Sequence, residues 1–182
     1  HNDLFSFEFH VDGIPFLVDG GSYCYTNGKV IREKFRSSYY HNTLCVPGLE
    51  QNIHPGLFDI LPMAEPYNLI RKSKEVSACH NAYETPHSRN FYIDNTRLII
   101  TDCYKGESAC HLNLAPAVSY EIHEDMIILK NINKSLKIQL KGFSIVKSEP
   151  GCYSAQYGKK IKNTLLILHR NSLSTEMAIE VL

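Results

Sequence analysis

Two histidines and an aspartate near the start of the chain, His1, Asp19 and His41, are residue types that bind zinc. Two imidazole nitrogens and one carboxylate oxygen fill three positions of a tetrahedral ion and leave the fourth to water. The chain has nine histidines, so a His/Asp/His triple arises easily by chance and carries little weight alone. Other groups with chemical potential crowd the same stretch: Asp3, Tyr23, Tyr25, Arg32, Arg36 and Asn42. Arg36 suits a carboxylate, either a sugar's or one of the protein's own. Tyr23 and Tyr25 are two positions apart, which on a strand puts them on one side. The pair Gly20-Gly21 after Asp19 lets the backbone turn sharply and approach another group closely. His80, His87 and His111 read as structural rather than catalytic.

The elements that must position these groups read as strands. Phe5, Phe7 and Phe9 alternate with Ser6, Glu8 and His10, the period of a half-buried strand. Asp12-Gly13 is a strong hairpin turn, and Ile14 to Val18 returns from it. A regular hairpin closed there sets Asp19 opposite Ser6, roughly 16 Å along the strand from His1 at ~3.3 Å per residue. That is too far to share one ion. The triple therefore requires a bend or bulge, or a first strand that starts after Asp3.

Further along, Leu136, Ile138 and Leu140 alternate with Lys137, Gln139 and Lys141. Arg97 to Asp102, Met126 to Leu129, Thr164 to Leu168 and Met177 to Leu182 are also β-rich. No segment sustains a helical period, although Ile31 to Ser38 could hold a short helical turn. Pro62 and Pro66 bound a loop, and Thr85 to Ser88 reads as another. Many short strands without crossover helices predict an all-β fold, a large two-layer antiparallel β-sandwich forming one domain over residues 1–182.

Composition narrows the function. The 182 residues carry 19 basic and 19 acidic side chains. That balance argues against nucleic acid, which needs a basic excess. No apolar run approaches the ~20 residues of a membrane-spanning helix. Six cysteines without a C-x-x-C pair argue against a zinc–thiolate knuckle; their even number permits disulfides in an oxidising compartment, but most read as small buried residues in strands. A chain that begins with His1 rather than Met reads as cut at its N-terminus.

Several motifs together resemble the C-terminal domain of heparinase II/III-like polysaccharide lyases. His1-Asn2-Asp3-Leu4-Phe5-Ser6-Phe7 is similar to that family's H-x-D-x-x-S-F opening. Gly13-Ile14-Pro15-Phe16-Leu17-Val18-Asp19-Gly20-Gly21-Ser22-Tyr23-Cys24-Tyr25 is similar to its G-x-P-x-L-V-D-x-G-T-Y-x-Y. Arg32 to Ser37 and then His41-Asn42-Thr43 follow its R-x-x-F-R-S and A-H-N-T, with Tyr40 in place of the usual Ala. Shorter echoes run to the end: Gly48 to Gln51, His80 with Tyr83, His87 with Arg89, His111 to Pro116, and Ser154 with Tyr157-Gly158.

The resemblance implies an antiparallel sandwich joined, in the family, to an N-terminal α/α toroid. It implies zinc held by His1, Asp19 and His41. It implies β-elimination on an acidic, uronic-acid-containing polysaccharide, and a periplasmic or extracellular location. Tyr25 is the candidate catalytic residue; Tyr23, Arg36 and Asn42 are the candidate substrate-binding residues. The family places a further histidine two residues before the first zinc ligand and other catalytic groups on the toroid, so the 182-residue chain alone is expected to be inactive. The competing expectation is a non-catalytic carbohydrate-binding or structural sandwich linked to exopolysaccharide metabolism. Its eleven tyrosines suit sugar stacking, but Trp is absent.

Overall fold

A computed structural model describes residues 1–26 and 28–182. The chain opens with an irregular segment and then the short hairpin β1 (Phe9–Val11) and β2 (Ile14–Leu17). Helix α1 (Lys29–Arg36) and a single 3-10 turn (Ser38–Tyr40) lead into β3 (Leu44–Cys45). Two short strands, β4 (Asn52–Ile53) and β5 (Leu61–Pro62), pair with each other. A meander follows: β6 (Pro66–Lys72), β7 (Glu75–His80), β8 (His87–Ile93) and β9 (Arg97–Cys103). Then come β10 (Ala109–Asn113), β11 (Ser119–Ile122), β12 (Met126–Asn131) and β13 (Lys134–Lys141). The long hairpin β14 (Phe143–Gln156) and β15 (Lys159–Arg170) precedes the last strand, β16 (Ser174–Val181).

Two large antiparallel sheets result. One has eight strands in the order β11-β12-β13-β16-β9-β8-β7-β6, and the other has four in the order β14-β15-β10-β3. Their inward residues alternate as a strand period demands. Ile100, Ile127, Leu129, Leu136, Ile138, Met177 and Ile179 from the larger sheet share one core with Leu44, Cys110, Leu112, Leu166 and Leu168 from the smaller. The predicted β-sandwich is therefore present. The smaller sheet also packs Tyr39 on its far face, against Ala109, Leu165 and Ile167.

The β1–β2 hairpin differs from a regular one. Val11 pairs with Ile14 and His10 with Pro15, as a tight Asp12-Gly13 turn requires, but Phe9 pairs with Leu17. The shift is a bulge that re-aims the strand. Residues before Phe9 are not strand, which corrects the reading of Phe5, Phe7 and Phe9 as one alternating run. The Ser6 amide donates to the Asp3 carbonyl at 2.9 Å and Phe5 has φ of 62°, so the chain reverses there. Bulge and reversal together remove the distance that separated His1 from Asp19 in a straight hairpin. Likewise Tyr23 and Tyr25 do not lie on a strand, since Tyr23 takes a φ of 58°. The loop expected at Thr85 to Ser88 is shorter than read, because His87 already opens β8.

No disulfide joins the six cysteines, and Cys24, Cys45 and Cys110 are buried. Among the described residues no helix is long and apolar enough to cross a membrane.

Candidate metal centre

The N-terminal segment is sewn onto the loop that carries His41. The Asn2 amide donates to the Arg36 carbonyl at 2.8 Å, and the Leu4 amide donates to Gln51 Oε1 at 2.8 Å. Thr43 Oγ1 donates to the Leu4 carbonyl at 2.7 Å. These bonds bring His1 beside His41, with ring centroids 5.3 Å apart. One donor atom each from His1, Asp3 and His41 falls within 4.8 Å of the others.

Asp19 contacts His41 directly. Its Oδ2 lies 2.5 Å from His41 Nδ1, and its Oδ1 accepts from the Gly21 amide at 2.8 Å. Burial raises the Asp19 pKa, but the His41 contact and the Gly21 amide outweigh it and the net direction is downward. The Asp19 loop runs close to β14: the Ser154 amide donates to the Gly20 carbonyl at 3.0 Å. Gly21 has φ of 79°, and a Cβ there would collide with the Ser154 carbonyl. Glycine is thus required by both conformation and space.

His41 is fully buried, and its Nε2 has no hydrogen-bond partner among the described residues. A buried imidazole nitrogen is costly to leave unpaired. If Nδ1–H donates to Asp19, Nε2 is a lone pair facing an unfilled need. That is the state of a histidine ready to bind a metal, with the carboxylate fixing its tautomer. The donor set present, two imidazoles and nearby carboxylates, fits zinc.

Below the centre lies a buried polar chain. The Ala82 amide donates to His80 Nδ1 at 3.2 Å, so His80 Nε2 carries the proton and donates to His87 Nδ1 at 2.9 Å. His87 Nε2 in turn donates to Asp102 Oδ1 at 2.6 Å. Arg89 grips Asp102 in a two-point pair, Nε to Oδ1 at 2.7 Å and Nη2 to Oδ2 at 2.8 Å. Its remaining nitrogen, Nη1, donates to the Phe5 carbonyl at 2.9 Å and to the Asn42 carbonyl at 2.8 Å. One guanidinium therefore ties the segment carrying His1 and Asp3 to the residue after His41.

Burial, helped by neighbouring His87 and the Arg89 charge, pushes His80 down to about 3, and burial also lowers His87. Burial alone would raise Asp102, but Arg89 and His87 overcome this and hold it far below the usual carboxylate range. The two histidines are neutral links in a structural chain, as the sequence reading expected of them. His111 likewise donates from Nδ1 to the Tyr39 carbonyl at 3.0 Å.

The other site candidates divide. Arg36 is buried and donates to the carbonyls of Gly56, Leu57 and Asp59. Asn42 is fully buried, donates to the carbonyls of Phe7 and Val18, and accepts from the Asn113 amide. Asn42 thus ties the Phe7 and Val18 segments together next to His41, and Arg36 holds the 56–59 segment. Tyr23 stacks on Phe35 with centroids 5.8 Å apart. Tyr25 is 47% exposed and has the Arg32 guanidinium over its ring. Asp3, which sequence reasoning passed over as a ligand, offers a carboxylate oxygen within 4.8 Å of donor atoms of both histidines. Its place in the H-x-D opening was the available signal.

Residues 1–182 match the heparinase II/III-like C-terminal family, and the chain belongs to it. No curated protein matches the sequence. Solved structures with the same fold include a heparinase III gene product, 20% identical with a TM-score of 0.75 over 100% of this chain. Heparan sulfate lyase HepC from Pedobacter heparinus is 16% identical, with a TM-score of 0.75 over 100% of this chain. A further heparinase III is 14% identical, with a TM-score of 0.75. The chain spans 30% of the length of each of these three.

Proposed function

We propose that this chain is the sandwich part of a polysaccharide lyase that cleaves a uronic-acid-containing polymer by β-elimination. The observation that carries the reading is the buried, unpartnered His41 Nε2 beside His1 and two carboxylates, in a chain that matches the family throughout. In the reaction a base removes the proton at C5 of the uronate. The bond from C4 to the glycosidic oxygen breaks, a C4–C5 double bond forms, and the departing oxygen takes a proton. The C5 proton is acidic enough only when the adjacent carboxylate is neutralised, so positive charge and hydrogen-bond donors must meet that sugar.

Zinc is the proposed ion, held by His1, Asp19 and His41; when bound, it would supply positive charge and fasten the N-terminal segment to the Asp19 and His41 loops. The convergence of His1, Asp3 and His41 favours a second arrangement. In it Asp3 is the third ligand and Asp19 orients His41. Two ligands on a tetrahedral zinc stand about 3.3 Å apart at bond lengths of ~2.0–2.1 Å. The Asp19–His41 contact of 2.5 Å is shorter and is that of a hydrogen bond. Tyr25 is the proposed proton-transferring group of this half, and Tyr23 lies beside it. Asn42 acts by holding the segments beside His41, and Arg36 by holding the 56–59 segment.

The remaining catalytic groups belong to an N-terminal α/α toroid in the same parent chain, and the polymer places the protein in the periplasm or outside the cell. The test is incubation of the full-length chain with alginate, polygalacturonate, heparan sulfate and other uronic polymers. Ultraviolet absorbance of the unsaturated uronate should rise with at least one. No rise with any of them overturns the reading.

A further inference from the structure

The β14–β15 hairpin carries an exposed feature that the metal centre does not use. Tyr157, at its tip, is 60% exposed and stacks on Tyr25 with centroids 5.5 Å apart and planes 22° off parallel. Lys160, two residues past the turn glycine, sets its Nζ 5.1 Å from the centre of the Tyr23 ring. No described carboxylate pairs with Lys160 or with Lys162, its neighbour on the same side of β15. Ser22, Tyr23, Tyr25, Gln156 and Tyr157 line a cleft of about 250 Å³. One lining residue touches the metal centre: Ser22 Oγ lies 3.4 Å from His1 Nε2.

The hairpin tip thus presents an aromatic ring to solvent beside two lysines without an acidic partner among the described residues. Together the two features match one class of ligand. A pyranose has an apolar C–H face that packs on the electron-rich face of an aromatic ring. Its carboxylate or sulfate groups, at the ring edge, meet an ammonium. A neutral sugar would use the tyrosines and leave the lysines idle; a simple anion would use the lysines and leave the tyrosines idle.

We propose that Tyr157 and Lys160 form a binding subsite for a sugar unit of an anionic polysaccharide, one unit removed from the metal centre. This rests on the polysaccharide-lyase reading above and extends it to residues of the β14–β15 hairpin. Tyr157 supplies the stacking face, with Tyr25 backing it. Lys160 pairs with the acidic substituent and selects charged over neutral chains. The hairpin is stable without the tip side chains, since Ser154 Oγ donates to the carbonyls of Gln156 and Lys159 and closes the turn itself.

The experiment is calorimetric titration of the 182-residue protein with size-defined alginate, polygalacturonate and heparan sulfate oligosaccharides, and with a neutral dextran oligosaccharide as control. At least one acidic oligosaccharide should bind, and dextran should not. Tyr157→Ala should weaken that binding about five- to tenfold, and Tyr157→Phe should keep it. Lys160→Ala should weaken it and also flatten its dependence on salt, which Tyr157→Ala leaves unchanged. Tyr67→Ala, on the other sheet, should bind as wild type. Acidic oligosaccharide binding that is unaltered in both Tyr157→Ala and Lys160→Ala overturns the subsite and leaves the lyase reading standing. Absence of binding to every acidic oligosaccharide by the wild type overturns the subsite together with the substrate class.

Discussion

Asp19 Oδ2 and His41 Nδ1 meet at 2.5 Å across 22 positions of the sequence, and His41 Nε2, on the other side of the ring, meets nothing among the described residues. A carboxylate that fixes one imidazole nitrogen presents the other to whatever lies beyond it. Asp19 lies on the Nδ1 side of the ring, and Asp3 offers an oxygen within 4.8 Å of donor atoms of His1 and His41.

Zinc affinity separates these places. His41→Ala and His1→Ala should each lose zinc by about a hundredfold or more, read by competition with a chromogenic chelator, because each removes a ligand. Asp19→Asn should lose about 10–100-fold whether it binds the ion or orients His41. Asp3→Asn is expected to lose less than Asp19→Asn. A loss as large as that of the histidine variants would make Asp3 the third ligand. Zinc binding by His41→Ala at wild-type affinity would remove the site altogether.

Arg89 is expected to matter to the metal site although it touches no metal donor. Arg89→Met leaves Asp102 buried without its cation and frees the Phe5 and Asn42 carbonyls. Unfolding by urea should show a loss of about 3–5 kcal/mol. The double variant Arg89→Met with Asp102→Leu should recover part of that loss, since the uncompensated charge is gone. Zinc affinity should stay reduced in the double variant, because the tie between Phe5 and Asn42 is still missing. Full recovery of both would confine Arg89 to a stability role.

Acid should destabilise the fold well before ordinary carboxylates titrate. His80 and His87 are neutral when folded, with lowered pKa values, and ordinary when unfolded, near 6.5. Below pH 6.5 the unfolded chain binds protons that the folded chain refuses, so stability falls as pH falls toward about 3, the folded value of His80. Each such histidine contributes at most about 1.4 kcal/mol per pH unit in this window. Asp102 adds the same sign at lower pH: its folded pKa is depressed, so its contribution is present above the unfolded value and lost as pH drops through that value toward the folded one. Urea midpoints at pH 7 and pH 5 should differ accordingly, and His80→Phe should narrow the difference. Equal midpoints would contradict the neutral-histidine chain.

Much of the sandwich was legible because burial on one face leaves an alternating pattern, as in Leu136, Ile138 and Leu140 of β13. The β14–β15 hairpin was less so. Its outer half carries Lys159, Lys160, Ile161 and Lys162, all exposed, and no buried face imposes a pattern. The N-terminal segment misled for the opposite reason. Phe5 and Phe7 alternate like strand residues, yet Phe5 packs on His80 and His87 and Phe7 on Phe91 from a reversed chain. That reversal is what lets Asp3 approach His41, and no local pattern encodes it. The chain His80–His87–Asp102–Arg89 was also hidden, because its members come from three strands. Only the resemblance marked His80, His87 and Arg89 as a group.

The chemistry of the proposed reaction leaves an isotopic signature that stands apart from every structural inference. The full-length chain would be incubated with its polymer in oxygen-18-labelled water and the products weighed by mass spectrometry. β-Elimination breaks the C4–oxygen bond without consuming water, so the account predicts unsaturated products with no label incorporated at cleavage. Products that each carry one labelled oxygen and no double bond would show hydrolysis, and would contradict the assignment of this chain to a lyase.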